Sequence, residues 1–208
     1  MTEQSVLEVS PVIPVVVVRD ADHAVPLARA LASGGIRVIE VTLRSEAALP
    51  AIERIAAEVP DMMVGAGTLT SHGQVKDAVA AGARFLVSPG STPTLLDAMA
   101  DTGLPYLPGV STVSEVLGLL ERGVTEMKFF PAEAAGGRAY LRAIAGPLPQ
   151  VRFCPTGGID PRNAPEYLAL PNVGCVGGSW LTPADAVVAG DWAGITRLAA
   201  DAALGSSS

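Results

Sequence analysis

Short runs of β-branched and aliphatic residues recur along the chain, each followed by Gly, Pro, Ser or Thr and then by an Ala- and Leu-rich stretch of helical periodicity. The pattern predicts strand, turn and helix repeated eight times. Strands are expected to begin near Val12, Arg37, Met62, Phe85, Pro105, Glu126, Arg152 and Cys175. Over 208 residues this leaves about 26 per unit, enough for one strand, one helix and two short loops. Asp160-Pro161 and Thr182-Pro183 pair an N-cap with a proline at the first helical position, and Thr182 with Asp185 resembles a capping box. Gly34, Gly35, Gly82, Gly103 and Gly123 are placed to end helices. Eight alternating units favour an α/β fold in which right-handed crossovers wind a parallel sheet into a closed (β/α)8 TIM barrel; a doubly wound open sheet is the alternative. No linker or composition shift divides the chain, so a single domain is expected over 1–208, with 1–10 as an N-terminal segment and 205–208 as a loose tail.

Charge and composition narrow the function. Fourteen Lys and Arg against 21 Asp and Glu give a formal charge of −7, with no basic stretch, which argues against nucleic acid as a partner. An anionic ligand must then be bound by local geometry. Mean hydropathy is high, +0.39, yet runs such as Val15 to Val18 fall far short of the roughly 20 residues that cross a bilayer, so no membrane span is expected. Glu3 and Glu8 lie where a signal peptide would place positive charge and an apolar core, which predicts a cytoplasmic chain. Cys154 and Cys175 sit in strand-like sequence and read as reduced core thiols. His23 and His72 are the only histidines and no metal-ligand spacing occurs, so no metal is expected.

Polar residues inside strand-like runs carry the chemistry. The chain has twelve arginines and two lysines; Lys76 fits an exposed helix face, but Lys128 lies within Glu126-Met-Lys-Phe-Phe-Pro131. Alternation puts Lys128 and Phe130 on one side and Met127 and Phe129 on the other. If Met127 and Phe129 face helices, Lys128 points inward, where desolvation disfavours the charged ammonium and favours attack on a carbonyl. The alternative is a lysine that snorkels out or pairs with a carboxylate. In Arg37-Val-Ile-Glu-Val-Thr-Leu-Arg44 the same alternation sends Ile39, Val41 and Leu43 outward and leaves Glu40, Thr42 and Arg44 on the inner side or its rim. A buried carboxylate needs a partner or a task, so Glu40 reads either as an ion-pair partner of Arg44 or as a general acid/base beside the lysine. Arg44 ends its strand where barrel enzymes place substrate contacts and can grip a carboxylate through two hydrogen bonds; Thr68, closing Val64-Gly-Ala-Gly-Thr68, is a second donor or simply a cap. Pro155-Thr-Gly-Gly-Ile159 after the seventh strand and Gly177-Gly-Ser-Trp180 after the eighth match the positions where many barrels bind phosphate, with Thr156 and Ser179 as hydroxyl donors. Together these describe a site for a phosphorylated keto acid and carbon–carbon cleavage through an imine.

The segments GGIRVIEVTLRS, VGAGTLT, FLVSPG, LPGVSTVSEV, MKFFPAEAAGG, VRFCPTGGID and GGSWL closely resemble the 2-keto-3-deoxy-6-phosphogluconate (KDPG) and 4-hydroxy-2-oxoglutarate (KHG) aldolase family, from about Pro11 to Ala200. MKFFPAE and EVTLR together are highly specific. The resemblance implies Lys128 as the Schiff-base residue, Glu40 as the proton-transfer residue, and Arg44 and Thr68 as contacts to the pyruvate carboxylate. It implies Pro89 and Phe130 as pocket-lining residues and Thr156, Gly157, Gly158, Gly178 and Ser179 as the phosphate site. It further implies a homotrimer of (β/α)8 barrels, no metal or organic cofactor, and release of pyruvate and glyceraldehyde 3-phosphate.

Departures are small: Asp160 stands where relatives often carry a neutral residue, so its charge is expected to weaken phosphate affinity slightly, and Ser45 and Thr70 are variants in bordering loops. The galactonate-derived isomer of the substrate stays open. So do two rivals: a phosphate-binding barrel isomerase or synthase that forms no imine, and a catalytically silent scaffold.

Overall fold

The computed structural model describes residues 5–204; the tail expected at 205–208 lies outside them, as do residues 1–4. Strands and helices alternate among the described residues. The strands are β1 (Val12–Val16), β2 (Val38–Thr42), β3 (Met63–Gly67), β4 (Leu86–Val87), β5 (Tyr106–Leu107), β6 (Gly109–Val110), β7 (Glu126–Phe129), β8 (Arg152–Pro155) and β9 (Val176–Gly178). The helices are α1 (Ala24–Ser33), α2 (Ala48–Glu58), α3 (His72–Ala80), α4 (Pro93–Ala100), α5 (Val113–Leu120), α6 (Gly137–Ala145), α7 (Ala164–Leu168), α8 (Ala184–Ala189) and α9 (Trp192–Leu204).

All pairings between the strands are parallel, in one sheet of order β5-β4-β3-β2-β1-β9 and a second of order β6-β7-β8. The expected fifth strand is two short segments because Pro108, between β5 and β6, has no N–H to give to a ladder. Its carbonyl still accepts from Lys128 N–H (3.0 Å). The chain therefore passes directly from one sheet to the other at Pro108. At the opposite edge, a parallel bridge pairs Thr156, just after β8, with Gly177 of β9.

Alternation sorts the side chains onto two faces. Ile39, Val41, Met127, Phe129 and Phe153 join the large cluster shared with the helices. Val38, Met63, Val87, Leu107 and Cys154 form a second cluster that unites strands of both sheets. Val6 and Leu7, on a short 3-10 turn (Val6–Glu8), are buried in that second cluster. Within the expected 1–10 segment, Val6 and Leu7 are thus part of the packed interior.

Helix ends follow local chemistry. Thr112 accepts from Glu115 N–H while the Glu115 carboxylate accepts from Thr112 N–H, a complete capping box at α5. Gly35, Gly82, Gly103 and Gly123 take the left-handed conformation expected just past a helix. Two expected caps are corrected. The residue before α8 is Pro183, and Thr182 turns its hydroxyl back to the Ser179 carbonyl (3.4 Å), so no box forms with Asp185. Asp160 caps a turn over Arg162 and Asn163, and α7 itself starts after Asn163.

Candidate active site

Lys128 on β7 and Glu40 on β2 belong to different sheets, and both point to the interior face. Their side chains are only 7% and 4% exposed, and Lys128 Nζ donates to Glu40 Oε1 at 3.1 Å and Oε2 at 3.4 Å. Removing either partner of such a buried pair leaves an uncompensated charge, at about 3–5 kcal/mol. The Phe130 ring centroid lies 5.5 Å from Nζ. This packing results from three strand positions. Lys128 is in register with Gly109 on one side and Cys154 on the other, and Glu40 is in register with Gly65 on β3. One turn of the pleat further along β3, Gly67 leaves open the space the carboxylate fills, since a Cβ there would lie 2.0 Å from Glu40 Oε1.

The C-terminal ends of the strands supply the surrounding groups. Thr42 donates to the Val16 carbonyl (2.8 Å) and accepts from Arg44 Nε (3.2 Å), which ties the arginine to the end of β2 through β1. Glu40 therefore pairs with Lys128, and the alternative pairing with Arg44 is not seen. Arg44 is exposed on the wall of a cavity of about 390 Å³ that Ser179, Arg19 and His23 also line. Thr68 follows β3 in a left-handed conformation (φ 62°), unusual for a β-branched residue, and is half-buried. Pro89 follows β4 and rests against β6, where only a glycine at 109 clears its backbone.

After β8, Thr156 is buried with its hydroxyl against Gly177, and Gly157 (φ 102°) and Gly158 (φ 80°) turn in a conformation that L side chains rarely adopt. Gly178 is buried beneath the Trp180 ring and Ser179 is exposed beside it. Thr156 meets Gly177 through their bridge, which brings the two Gly-rich segments side by side. The charge expected to disturb this turn is already engaged. Hydrogen bonds from the Arg162 guanidinium, through Nε (3.0 Å) and Nη2 (2.5 Å), hold the Asp160 carboxyl below its ordinary range.

The two cysteines face the interior below this layer, both free and buried. A hydrogen bond with Cys154, together with burial, pushes the Cys175 thiol well up, which makes it a poor nucleophile. Among the described residues no group of three or more His, Cys, Asp or Glu side chains comes together to hold a metal ion, and no helix is long and apolar enough to cross a membrane.

The structure thus joins Lys128, Glu40 and Phe130 directly, sets Arg44 and Ser179 on one cavity, and distributes Thr68, Pro89, Thr156, Gly157, Gly158 and Gly178 over the ends of β3, β4, β8 and β9. Two residues escaped the sequence reading. Arg19 closes Val15-Val-Val-Val-Arg19 as Arg44 closes its own strand, so the same signal was present. Gly67 carried the subtler signal of a strand position with no side chain, two residues past the register partner of an inward carboxylate.

Comparison with known proteins adds the context. The family model for KDPG and KHG aldolase matches residues 4–198. A 2-dehydro-3-deoxy-phosphogluconate aldolase of Pseudoalteromonas atlantica is 55% identical over 207 residues, covering 100% of this chain and 96% of the relative. The KHG/KDPG aldolase of Escherichia coli K12 is 55% identical over 202 residues, covering 97% and 95%. Among solved structures, a KDPG aldolase from Legionella pneumophila, with pyruvate captured at low pH as a covalent carbinolamine intermediate, superposes with a TM-score of 0.93 at 51% identity, covering 95% of this chain and 96% of that one.

Proposed function

The chain belongs to the KDPG and KHG aldolase family, and from that premise we propose that it is a class I aldolase in which Lys128 forms the imine and Glu40 moves the protons. It cleaves 2-dehydro-3-deoxy-6-phosphogluconate to pyruvate and D-glyceraldehyde 3-phosphate, with 4-hydroxy-2-oxoglutarate, giving pyruvate and glyoxylate, as a second substrate. The observation that carries the assignment is the buried contact of Lys128 Nζ with Glu40 Oε1 at 3.1 Å. It places the amine beside a group able to take and return a proton within hydrogen-bond reach.

The reaction then runs as follows. The Glu40 carboxylate takes a proton from the Lys128 ammonium, the free amine adds to C2 of the keto acid, and a second proton passes from its nitrogen to the former carbonyl oxygen to give a carbinolamine. Glu40, as the acid, protonates the departing hydroxyl, water leaves, and a positively charged imine remains. The Glu40 carboxylate next removes the proton from the C4 hydroxyl. The C3–C4 bond breaks, its electron pair neutralises the imine as an enamine, and C4 departs as the aldehyde. Protonation of C3 and addition of water release pyruvate and regenerate the amine. Arg44 and Thr68 hold the carboxylate of the keto acid, Pro89 and Phe130 line the pocket, and the backbone N–H groups of Gly157, Gly158 and Gly178 with the hydroxyls of Thr156 and Ser179 hold the phosphate. No metal or organic cofactor takes part.

The same reading treats the two sheets as one closed (β/α)8 barrel in a single domain. Direct passage between sheets at Pro108 and the Thr156–Gly177 bridge at the other edge support it. A cytoplasmic setting is in keeping with two free, buried thiols. A homotrimer completes the proposal, and exposed Val113 and Leu117, one turn apart on α5, offer apolar surface of the kind subunit contacts bury. The test is the Lys128→Arg variant, whose guanidinium stays protonated. It should fold and release no pyruvate above background from the phosphorylated substrate, and retained cleavage would overturn the assignment.

A further inference from the structure

The Gly157–Gly158 turn is held from below by groups that no step of the reaction uses. Glu133 N–H donates to the Gly157 carbonyl (3.1 Å), and Asn163 Nδ2 donates to the Gly158 carbonyl (2.9 Å). The Glu133 side chain runs directly beneath Gly158, where an added Cβ would lie 2.6 Å from Glu133 Cγ. Its carboxylate accepts a hydrogen bond from the Tyr167 hydroxyl. The Tyr167 residue is fully buried on α7, and Arg138, 5.9 Å from its ring centroid, is ion-paired with Glu166. Gly137, left-handed at φ 57°, keeps the space between Tyr167 and Glu133 clear.

Two features make this more than packing. The Glu133 side chain spans from the underside of the turn to the hydroxyl of a core residue, so it transmits the position of α7 to Gly158. Burial, reinforced by the hydrogen bond with Glu133, also pushes the tyrosine hydroxyl up, which keeps it a donor across the working pH range. The carboxylate is thereby turned toward Tyr167, where it accepts a proton donor instead of facing an anion above the turn.

We propose that Glu133 and Tyr167 are a pair of positioning residues that hold the Gly157–Gly158 turn in its anion-binding shape and so set the preference for phosphorylated over unphosphorylated keto acids. The proposal rests on the reading of this turn as the phosphate site. Neither residue touches substrate. Loss of the tyrosine hydroxyl removes one hydrogen bond, so binding of the phosphorylated substrate should weaken about 5- to 10-fold, while chemistry at Lys128 and binding of the pyruvate part are untouched.

The experiment compares wild type with Tyr167→Phe, Glu133→Ala, Glu133→Gln and Gly158→Ala. It measures kcat and KM on the phosphorylated substrate, inhibition by inorganic phosphate, and the pyruvate concentration that half-saturates borohydride-trapped imine. Tyr167→Phe and Glu133→Ala should raise KM and the phosphate inhibition constant together about 5- to 10-fold, with kcat and pyruvate half-saturation within about twofold of wild type. Glu133→Gln, whose amide oxygen still accepts from the hydroxyl, should restore wild-type behaviour. Equal losses toward pyruvate and phosphate, or an unchanged KM in Tyr167→Phe beside a raised one in Gly158→Ala, would overturn the positioning role alone. An unchanged KM and phosphate inhibition in Gly158→Ala would remove the phosphate reading of the turn, and the proposal with it.

Discussion

Gly67→Ala should disable the enzyme through a residue that makes no polar contact with substrate. The added Cβ would lie 2.0 Å from Glu40 Oε1, 2.5 Å from Cγ and 2.6 Å from Cδ. Non-bonded heavy atoms settle near about 3.5 Å, so the carboxylate must withdraw by roughly 1.5 Å. Nζ and Oε1, now 3.1 Å apart, would then separate beyond proton-transfer distance. A displacement of about 1 Å at a reacting group costs about 10²-fold in rate, and overpacking of a full interior costs about 1–3 kcal/mol of stability. The backbone at 67 is ordinary β3 strand, so the effect is purely steric. The assay couples pyruvate release to lactate dehydrogenase at saturating substrate, alongside a thermal melt that shows the variant folded. We expect kcat to fall about 10²-fold, within an order of magnitude of Glu40→Gln. A Gly67→Ala enzyme within about threefold of wild type, beside a crippled Glu40→Gln, would refute the claim that the carboxylate must occupy the space Gly67 leaves.

Further outcomes follow from other contacts. Ser179→Ala should raise KM for the phosphorylated substrate several-fold more than KM for 4-hydroxy-2-oxoglutarate in steady-state kinetics; equal effects would remove Ser179 from the phosphate site. The capping box gives a pH signature: burial alone would raise the Glu115 carboxyl, but hydrogen bonds from Ser111 and Thr112 outweigh it and leave it below its ordinary value. A carboxyl lowered on folding stabilises above its unfolded value and loses that contribution as pH falls through the folded one. Glu115→Gln should therefore be less stable than wild type by about 0.5 kcal/mol at pH 7 and converge on it in urea titrations once acid has protonated the Glu115 carboxyl, and a gap that persists there would contradict the assignment.

Strand alternation made the centre of the site legible. In parallel strands covered by helices, Ile39, Val41, Met127 and Phe129 had to meet helices, which left Glu40 and Lys128 only the interior. That the two would touch across 88 positions of sequence was not readable from periodicity, because it depends on how the two sheets face each other. Local pattern also failed where backbone chemistry intervened. Pro108 divides a strand whose apolar run looks continuous, and the Thr182 hydroxyl is drawn back to a carbonyl, so the Asp185 spacing went unused. That Arg162 folds back onto the Asp160 carboxylate, two residues away, was likewise not readable from the sequence. Val6 and Leu7 belonged to the expected N-terminal segment, and their burial rests on packing with residues distant in sequence, such as Val38 and Leu107, which periodicity does not reveal.

The most direct measurement is covalent. Protein incubated with pyruvate and reduced with borohydride should carry one added three-carbon unit, and digestion with mass spectrometry should place it on Lys128 and leave Lys76 unmodified. A chain that cleaves substrate yet shows no adduct on Lys128 would contradict an imine mechanism built on the buried amine.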